Sequence, residues 1–299
     1  MKAPAPLSNN DRIGIVSPSR MITKEQLSGA LEVFQSWGLE VVLGDNVYAK
    51  HGYFAGTDDQ RRSDLQNVLD DSSIKAIFCS RGGYGLTRII DQLDLKKFLK
   101  QPKWIVGFSD ITALHLQLNK LKIQSLHGMM PVQFDYYGME ESLSTLKNVL
   151  FGSFMNYSFN PSPYNQTGST EAQVIGGNLS LLVESLGTST EISTDGKILF
   201  IEEIDEYLYK IDRMFNQLKR AGKFDNLSGL IVGSFSDIKD TKIPFGMHLE
   251  ELILNHFSND HIPICFHIPI GHTENNMAIP FGKRLTLKVE TEGVSLRDQ

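Results

Sequence analysis

The sequence predicts an α/β protein of two domains, a doubly wound parallel-sheet domain followed by a strand-rich α+β domain. Three observations carry this expectation. The chain has 299 residues, room for two ordinary domains. Its first half alternates short runs that are apolar throughout with stretches of helical period, the pattern of a parallel sheet covered on both faces. That rhythm stops at an Asn-, Ser-, Pro- and Gly-rich stretch near the middle.

Ile13 to Val16 is the first expected strand. Leu27, Leu31 and Phe34 recur at i, i+4 and i+7 before Gly38, which is one face of a helix, and Val41 to Leu43 is the next strand. Leu65, Val68 and Leu69 mark a second helix, ahead of strands at Ile74 to Cys79 and Trp104 to Val106. This is the make-up of an open flavodoxin/Rossmann-like sheet, in which ligands collect at the carboxyl ends of the strands. The segments to inspect are therefore Ser17-Pro18-Ser19, Ser80-Arg81-Gly82-Gly83 and Gly107-Phe108-Ser109-Asp110. The expected domains are 1–151 and 172–299, joined by a linker at 152–171. In the second, Leu179, Leu182, Val183 and Leu186 mark a short helix and Ile198 to Ile201 a strand, and Tyr207, Ile211, Met214, Phe215 and Leu218 form a helical stripe. Later strands are Leu230 to Val232, Ile264 to Ile268 and Leu285 to Val289, the last pairing with Val294 to Leu296.

Composition excludes several functions. With 41% hydrophobic and 21% charged residues the chain is not expected to be disordered. A net charge of −6 with no basic run argues against nucleic acid as a partner. The longest apolar runs are of strand length, far short of the roughly 18 residues a membrane helix needs. No apolar segment follows the charged start, so neither membrane nor export is expected. Two cysteines, Cys79 and Cys265, lack metal-ligand spacing and suit a reducing cytoplasm. No metal or cofactor is expected.

Ser109 sits between an apolar strand and the helix-like Ile111 to Leu116, a strand-turn-helix corner. The corner is similar to a nucleophile elbow, although Ile111 stands where that pattern has glycine; a plain helix N-cap is the competing reading. Ser80 to Gly85 also follows a strand, so its N–H groups can form an anion or oxyanion site or simply a tight turn. It lacks a Walker lysine and the G-x-G-x-x-G spacing, which demotes nucleotide binding. Glu202 ends an apolar strand and begins an acidic group that reads as a solvated face or as an orienter for an imidazole, and His272, one of eight histidines, follows another apolar run and reads as structural or catalytic.

Seven segments in order, IGIVSPS, GYFAGTDDQRRSDLQ, IKAIFCSRGGYG, WIVGFSDITALH, VIGGNLSLL, ILFIEEIDEYLYKIDRM and PIGHTENNMAIPFGKRLTL, span the chain from near Arg12 to near Leu287. Together they resemble the LD-carboxypeptidases, or muramoyl-tetrapeptide carboxypeptidases. The resemblance implies a metal-independent serine peptidase whose triad falls on Ser109, Glu202 and His272. It further implies an acyl-enzyme, with oxyanion donors at the backbone of Asp110 and of Gly82 or Gly83. Glu203 stands where the family commonly has Asp, and Glu202 is preferred because it matches the first acidic position. His127 also matches a family histidine and is expected to be structural or cleft-lining.

The implied substrate is a murein tetrapeptide cut before its terminal D-alanine, a step of cell-wall recycling, in the cytoplasm and by a homodimer. Arg81, Arg88 or the helix start at Asn178 can receive the free carboxylate; Arg213 reads as a helix-surface ion-pair residue. Relatives that cleave peptidyl-nucleotide antibiotics for self-immunity, and a non-catalytic small-molecule binding module, are the alternative readings.

Overall fold

The computed structural model describes residues 1–258 and 260–298. The first sheet is built by β1 (Arg12–Val16), β2 (Glu40–Leu43), β3 (Ile74–Cys79), β4 (Trp104–Gly107) and β5 (Ser125–His127). Between and after these strands run α1 (Lys24–Ser36), α2 (Asp58–Asp70), α3 (Lys96–Lys100), α4 (Thr112–Lys120) and α5 (Glu140–Leu150). The first two helices start where the sequence supplies a capping box. Thr23 and Thr57 each accept from the backbone of a glutamine three residues on, Gln26 and Gln60, whose side chains reach back.

The second half begins with β6 (Asn156–Phe159), β7 (Gly168–Asn178), α6 (Leu179–Glu184), β8 (Ile198–Ile204), α7 (Leu208–Arg220) and β9 (Gly229–Ser236). It ends with α8 (Leu249–Asn255), β10 (Ile264–Cys265), β11 (Ile279–Phe281), β12 (Arg284–Glu290) and β13 (Gly293–Arg297).

The first sheet runs β11-β5-β4-β3-β1-β2, parallel except for β11. Its strand order reverses between β1 and β3, so the crevice where ligands bind in such sheets opens at the ends of those two strands. The second sheet runs β10-β9-β8-β7-β12-β13-β6. Its β7 to β10 half is parallel and its remainder an antiparallel meander, so the strand-rich expectation resolves into a mixed sheet.

Three boundaries differ from the sequence reading. The stretch 152–171 is not a bare linker, because β6 and the start of β7 lie in it. Tyr157 is buried there and its hydroxyl donates to the Ala278 carbonyl at 2.9 Å, which ties the segment into the sheet. The second domain is not self-contained, since β11 pairs antiparallel with β5 of the first sheet, Ile279 opposite His127. The strand expected at Ile264 to Ile268 stops at Cys265, and His267 turns the chain with φ +60°. The β12–β13 hairpin has the expected partners, Val289 opposite Val294.

The halves meet tightly where glycine removes the side chain. A Cβ on Gly177 of β7 would lie 2.5 Å from Thr112 Oγ1 of α4. Thr112 Oγ1 accepts from the Asn178 backbone N–H at 3.0 Å, a buried bond between α4 of the first half and β7 of the second. Both cysteines are buried and free, and burial pushes both thiols up. Among the described residues no helix is long and apolar enough to cross a membrane.

Candidate active site

Ser109 opens the turn after β4 with φ +62°, a backbone region that costs a non-glycine residue on the order of 1–3 kcal/mol. A plain N-cap would be extended, so this strain is the signature of an elbow that presents a hydroxyl. Ile111 occupies the position where the elbow pattern has glycine, and the close approach falls instead at Gly107, where a Cβ would meet Ile111 Cγ1 at 2.8 Å. His115, one turn into α4, fixes the strand end. Its Nε2 is 2.8 Å from the Gly107 carbonyl and its Nδ1 2.8 Å from Ser125 Oγ. The carbonyl can only accept, so Nε2 carries the proton, and burial lowers this imidazole to about 4 and keeps it neutral.

Asp110 turns its side chain inward. Its Oδ2 accepts from Ser19 Oγ at 2.5 Å and from the Leu86 N–H at 2.9 Å, tying together the ends of β1, β3 and β4. Burial raises this carboxyl despite those donors.

The loop after β3 lies against the serine. A Cβ on Gly82 would sit 3.0 Å from Ser109 Cβ and 3.2 Å from its Oγ, so only glycine lets the main chain approach this closely. Among the described residues no backbone carbonyl accepts from the Gly82 or Gly83 N–H. The loop thus keeps two uncommitted backbone donors, one of them on the glycine that packs against Ser109.

The second half supplies the histidine expected as base. His272 packs on Phe108, the residue before Ser109, with ring centroids 4.8 Å apart. Its Nδ1 is 2.6 Å from Glu202 Oε2, and a carboxylate on Nδ1 fixes the tautomer that leaves Nε2 as the basic nitrogen. Burial works to lower this imidazole, but the charge and hydrogen bond of Glu202, helped by Glu203, hold it above its ordinary value. Gly271 makes the approach possible, since with φ +114° a Cβ there would lie 2.8 Å from Glu202 Cβ.

Glu202 and Glu203 are neighbours on β8 and so face opposite sides of the sheet. Glu203 faces α6, where it accepts from Asn178 Nδ2 (2.9 Å), the Ser180 N–H (2.8 Å), Ser180 Oγ (2.6 Å) and the Ile204 N–H (2.9 Å). Burial raises its carboxyl, and those donors oppose the rise. Asn178 is thereby committed, because its Nδ2 holds Glu203 and its Oδ1 caps Leu181.

The other expected residues are placed as follows. His127 is fully buried, against the rings of Phe200 (4.9 Å) and Phe281 (5.4 Å), so it lines the core and not the cleft. Burial drives it well below its ordinary value. Arg88 is paired with Asp58 at 2.6 Å. Arg213 lies over the Tyr209 ring at 5.3 Å and makes no ion pair among the described residues, contrary to the expectation for it. Arg81 is half-buried at the loop beside Ser109. Sequence reading stopped one residue short of Arg20, which follows β1 as Arg81 follows β3; that parallel placement was the available signal. Among the described residues, no three His, Cys, Asp or Glu side chains converge to hold a metal ion.

Comparison with known proteins gives a consistent picture. Residues 13–128 match the model of the LD-carboxypeptidase N-terminal domain, and residues 171–287 that of the LD-carboxypeptidase C-terminal domain. The chain is 34% identical over 291 residues to the probable murein peptide carboxypeptidase of Bacillus subtilis (strain 168), covering 95% of this chain and 91% of that protein. It is 25% identical to the microcin C7 self-immunity protein MccF of Escherichia coli, covering 99% of this chain and 95% of that protein. The crystal structure of muramoyltetrapeptide carboxypeptidase from Oxalobacter formigenes superimposes with a TM-score of 0.87 at 27% identity, covering 96% of this chain and 99% of that one.

Proposed function

Because this chain belongs to the LD-carboxypeptidase family of serine peptidases, matched in both domains, we propose that it releases terminal D-alanine from murein tetrapeptides through an acyl-enzyme. The observation that carries the reading is the short bond from Glu202 to His272, whose ring packs on the residue preceding a strained Ser109.

In the proposed mechanism Ser109 Oγ attacks the carbonyl of the third residue and His272 Nε2 takes its proton. Glu202 holds the imidazole in the right tautomer and stabilises its protonated form. The oxyanion is received by the backbone N–H of Asp110 and of Gly82 or Gly83, each donor worth about 3–4 kcal/mol of barrier. Protonated His272 then gives its proton to the departing amine, and D-alanine leaves. A water activated by the same histidine hydrolyses the ester and restores Ser109. Every step is served by these side chains and N–H groups. The proposed setting is murein recycling in the cytoplasm by a homodimer, for which the support is the family resemblance.

The test is mass spectrometry of a murein tetrapeptide incubated with the wild type and with Ser109→Ala, without added metal. Release of D-alanine by the wild type alone is expected. Equal release by Ser109→Ala overturns the serine mechanism. Intact peptide with both proteins overturns the murein reading, and a peptidyl-nucleotide substrate is then the next to try, given the likeness to the self-immunity protein.

A further inference from the structure

Two guanidinium groups that follow β1 and β3 have no carboxylate partner among the described residues. Arg20 and Arg81 form neither an ion pair nor a side-chain hydrogen bond among the described residues, whereas Arg61 and Arg88 share Asp58 and Arg284 pairs with Glu171. They stand at the crevice where the strand order reverses. The two strand ends are locked to each other, with Ser17 Oγ and Ser80 Oγ 2.6 Å apart.

Contacts lead from this pair to the nucleophile. The Arg20 N–H donates to the Gly82 carbonyl at 3.4 Å, and a Cβ on Gly83 would lie 3.0 Å from Arg20 Cβ. The Arg20 guanidinium lies over the Tyr53 ring at 5.2 Å, which steers it along the cleft wall. Arg81 immediately precedes Gly82, on which an added Cβ would lie 3.0 Å from Ser109 Cβ. Burial, and then the charge of Arg20, both act to lower the Arg81 guanidinium. Two like charges brought together with no carboxylate between them are repulsive in the free protein, and an anion relieves that repulsion. Guanidinium forks match a carboxylate in two-pronged fashion.

We infer that Arg20 and Arg81 together receive the free carboxylate of the substrate's terminal residue, and so restrict cleavage to the last bond of a peptide. The inference rests on the carboxypeptidase reading of the same site. Distance along the substrate selects this carboxylate over others. It is separated from the scissile carbonyl carbon only by the leaving nitrogen and one Cα, about one residue's reach. Arg81 is the residue before Gly82 and the Arg20 main chain bonds to that same glycine, the one whose added Cβ would meet Ser109, so both arginines are anchored one residue from the site.

The experiment compares kcat/KM for a murein tetrapeptide and for its C-terminal carboxamide in the wild type, Arg20→Met, Arg81→Met and the double variant. The wild type is expected to prefer the free acid by roughly 100-fold, the size given by charge-assisted hydrogen bonds. Each single substitution lowers this ratio about tenfold, and the double variant brings it near one. A ratio unchanged by the substitutions overturns the inference while leaving the carboxypeptidase reading intact. A second measurement is independent of turnover: the rate at which Ser109 is phosphonylated by a fluorophosphonate bearing a carboxylate, against its methyl ester. A carboxylate preference that vanishes in the double variant supports the arginine pair even where no murein peptide is cut, an outcome that overturns the substrate reading alone. Equal rates for both reagents in the wild type overturn the pair.

Discussion

Glu202 Oε2 is 2.6 Å from His272 Nδ1, while Oε1 of the same fully buried carboxylate meets no partner among the described residues. The charge of this acid is therefore directed at one imidazole. Its neighbour Glu203 accepts three hydrogen bonds from the start of α6, which pin that helix to the sheet, and a fourth from the Ile204 N–H of its own strand. Adjacent glutamates thus have separable tasks. Glu202→Gln should lower kcat by about 10⁴-fold, since the amide no longer enforces the tautomer. Glu203→Gln should instead cost about 1–3 kcal/mol of stability by placing an amide N–H against donors, with a small effect on kcat. Denaturant unfolding beside turnover separates them, and the reversed pattern would reassign the acid.

The pH dependence follows from the same pair. His272 acts as a base only when neutral, so kcat/KM should rise with pH through a midpoint above the ordinary histidine value of about 6.5. In Glu202→Gln the midpoint should fall below that value, because burial stays and the attraction goes. The sign for stability is opposite. A folded-state value raised above the unfolded one adds stability that is full below about pH 6.5 and lost as pH rises through the folded value. A wild-type profile with its acid limb below that of Glu202→Gln would contradict the pairing.

Gly82→Ala should fold and fail. The added methyl would stand 3.2 Å from Ser109 Oγ and shift the loop whose N–H groups are proposed to receive the oxyanion. A loss of about 10²–10³-fold in kcat is expected, the effect of one oxyanion donor. Circular dichroism and thermal denaturation check that the fold is kept. Near-native kcat would remove this loop from the proposed oxyanion site.

Thr112→Val tests the contact between the two halves. Valine keeps the shape but leaves the buried Asn178 N–H without its acceptor, which should cost about 1–3 kcal/mol. Urea unfolding reads the loss as a lower midpoint. An unchanged midpoint would mean that this bond contributes nothing net to holding the halves together.

Much of this site was legible because chemistry in such sheets lies at strand ends, and strand ends are visible as the limits of apolar runs. Ser109, Glu202, Gly82 and Arg81 all follow such runs. Arg20 escaped because what marks it for the proposed role is the lack of an ion-pair partner among the described residues, a property of space and not of order. The short β11 escaped because three residues carry no readable period, and its place beside β5 is a long-range pairing. The stretch 152–171 looked like a linker by composition, yet pairing of β6 with β13 gives it a sheet partner.

The sequence by itself determined the alternation of strands and helices, the capped starts of α1 and α2, and the residue types available at each strand end, since these follow from local periodicity and local hydrogen bonding. Tertiary structure decided which of two adjacent glutamates meets the histidine. Strand alternation sends the two to opposite faces, but only the path of the chain through Gly271 puts His272 on the face of Glu202. It likewise decided that Arg20 and Arg81, about sixty residues apart, come to one crevice with no ion-pair partner among the described residues, because the ends of β1 and β3 become neighbours only when the sheet forms.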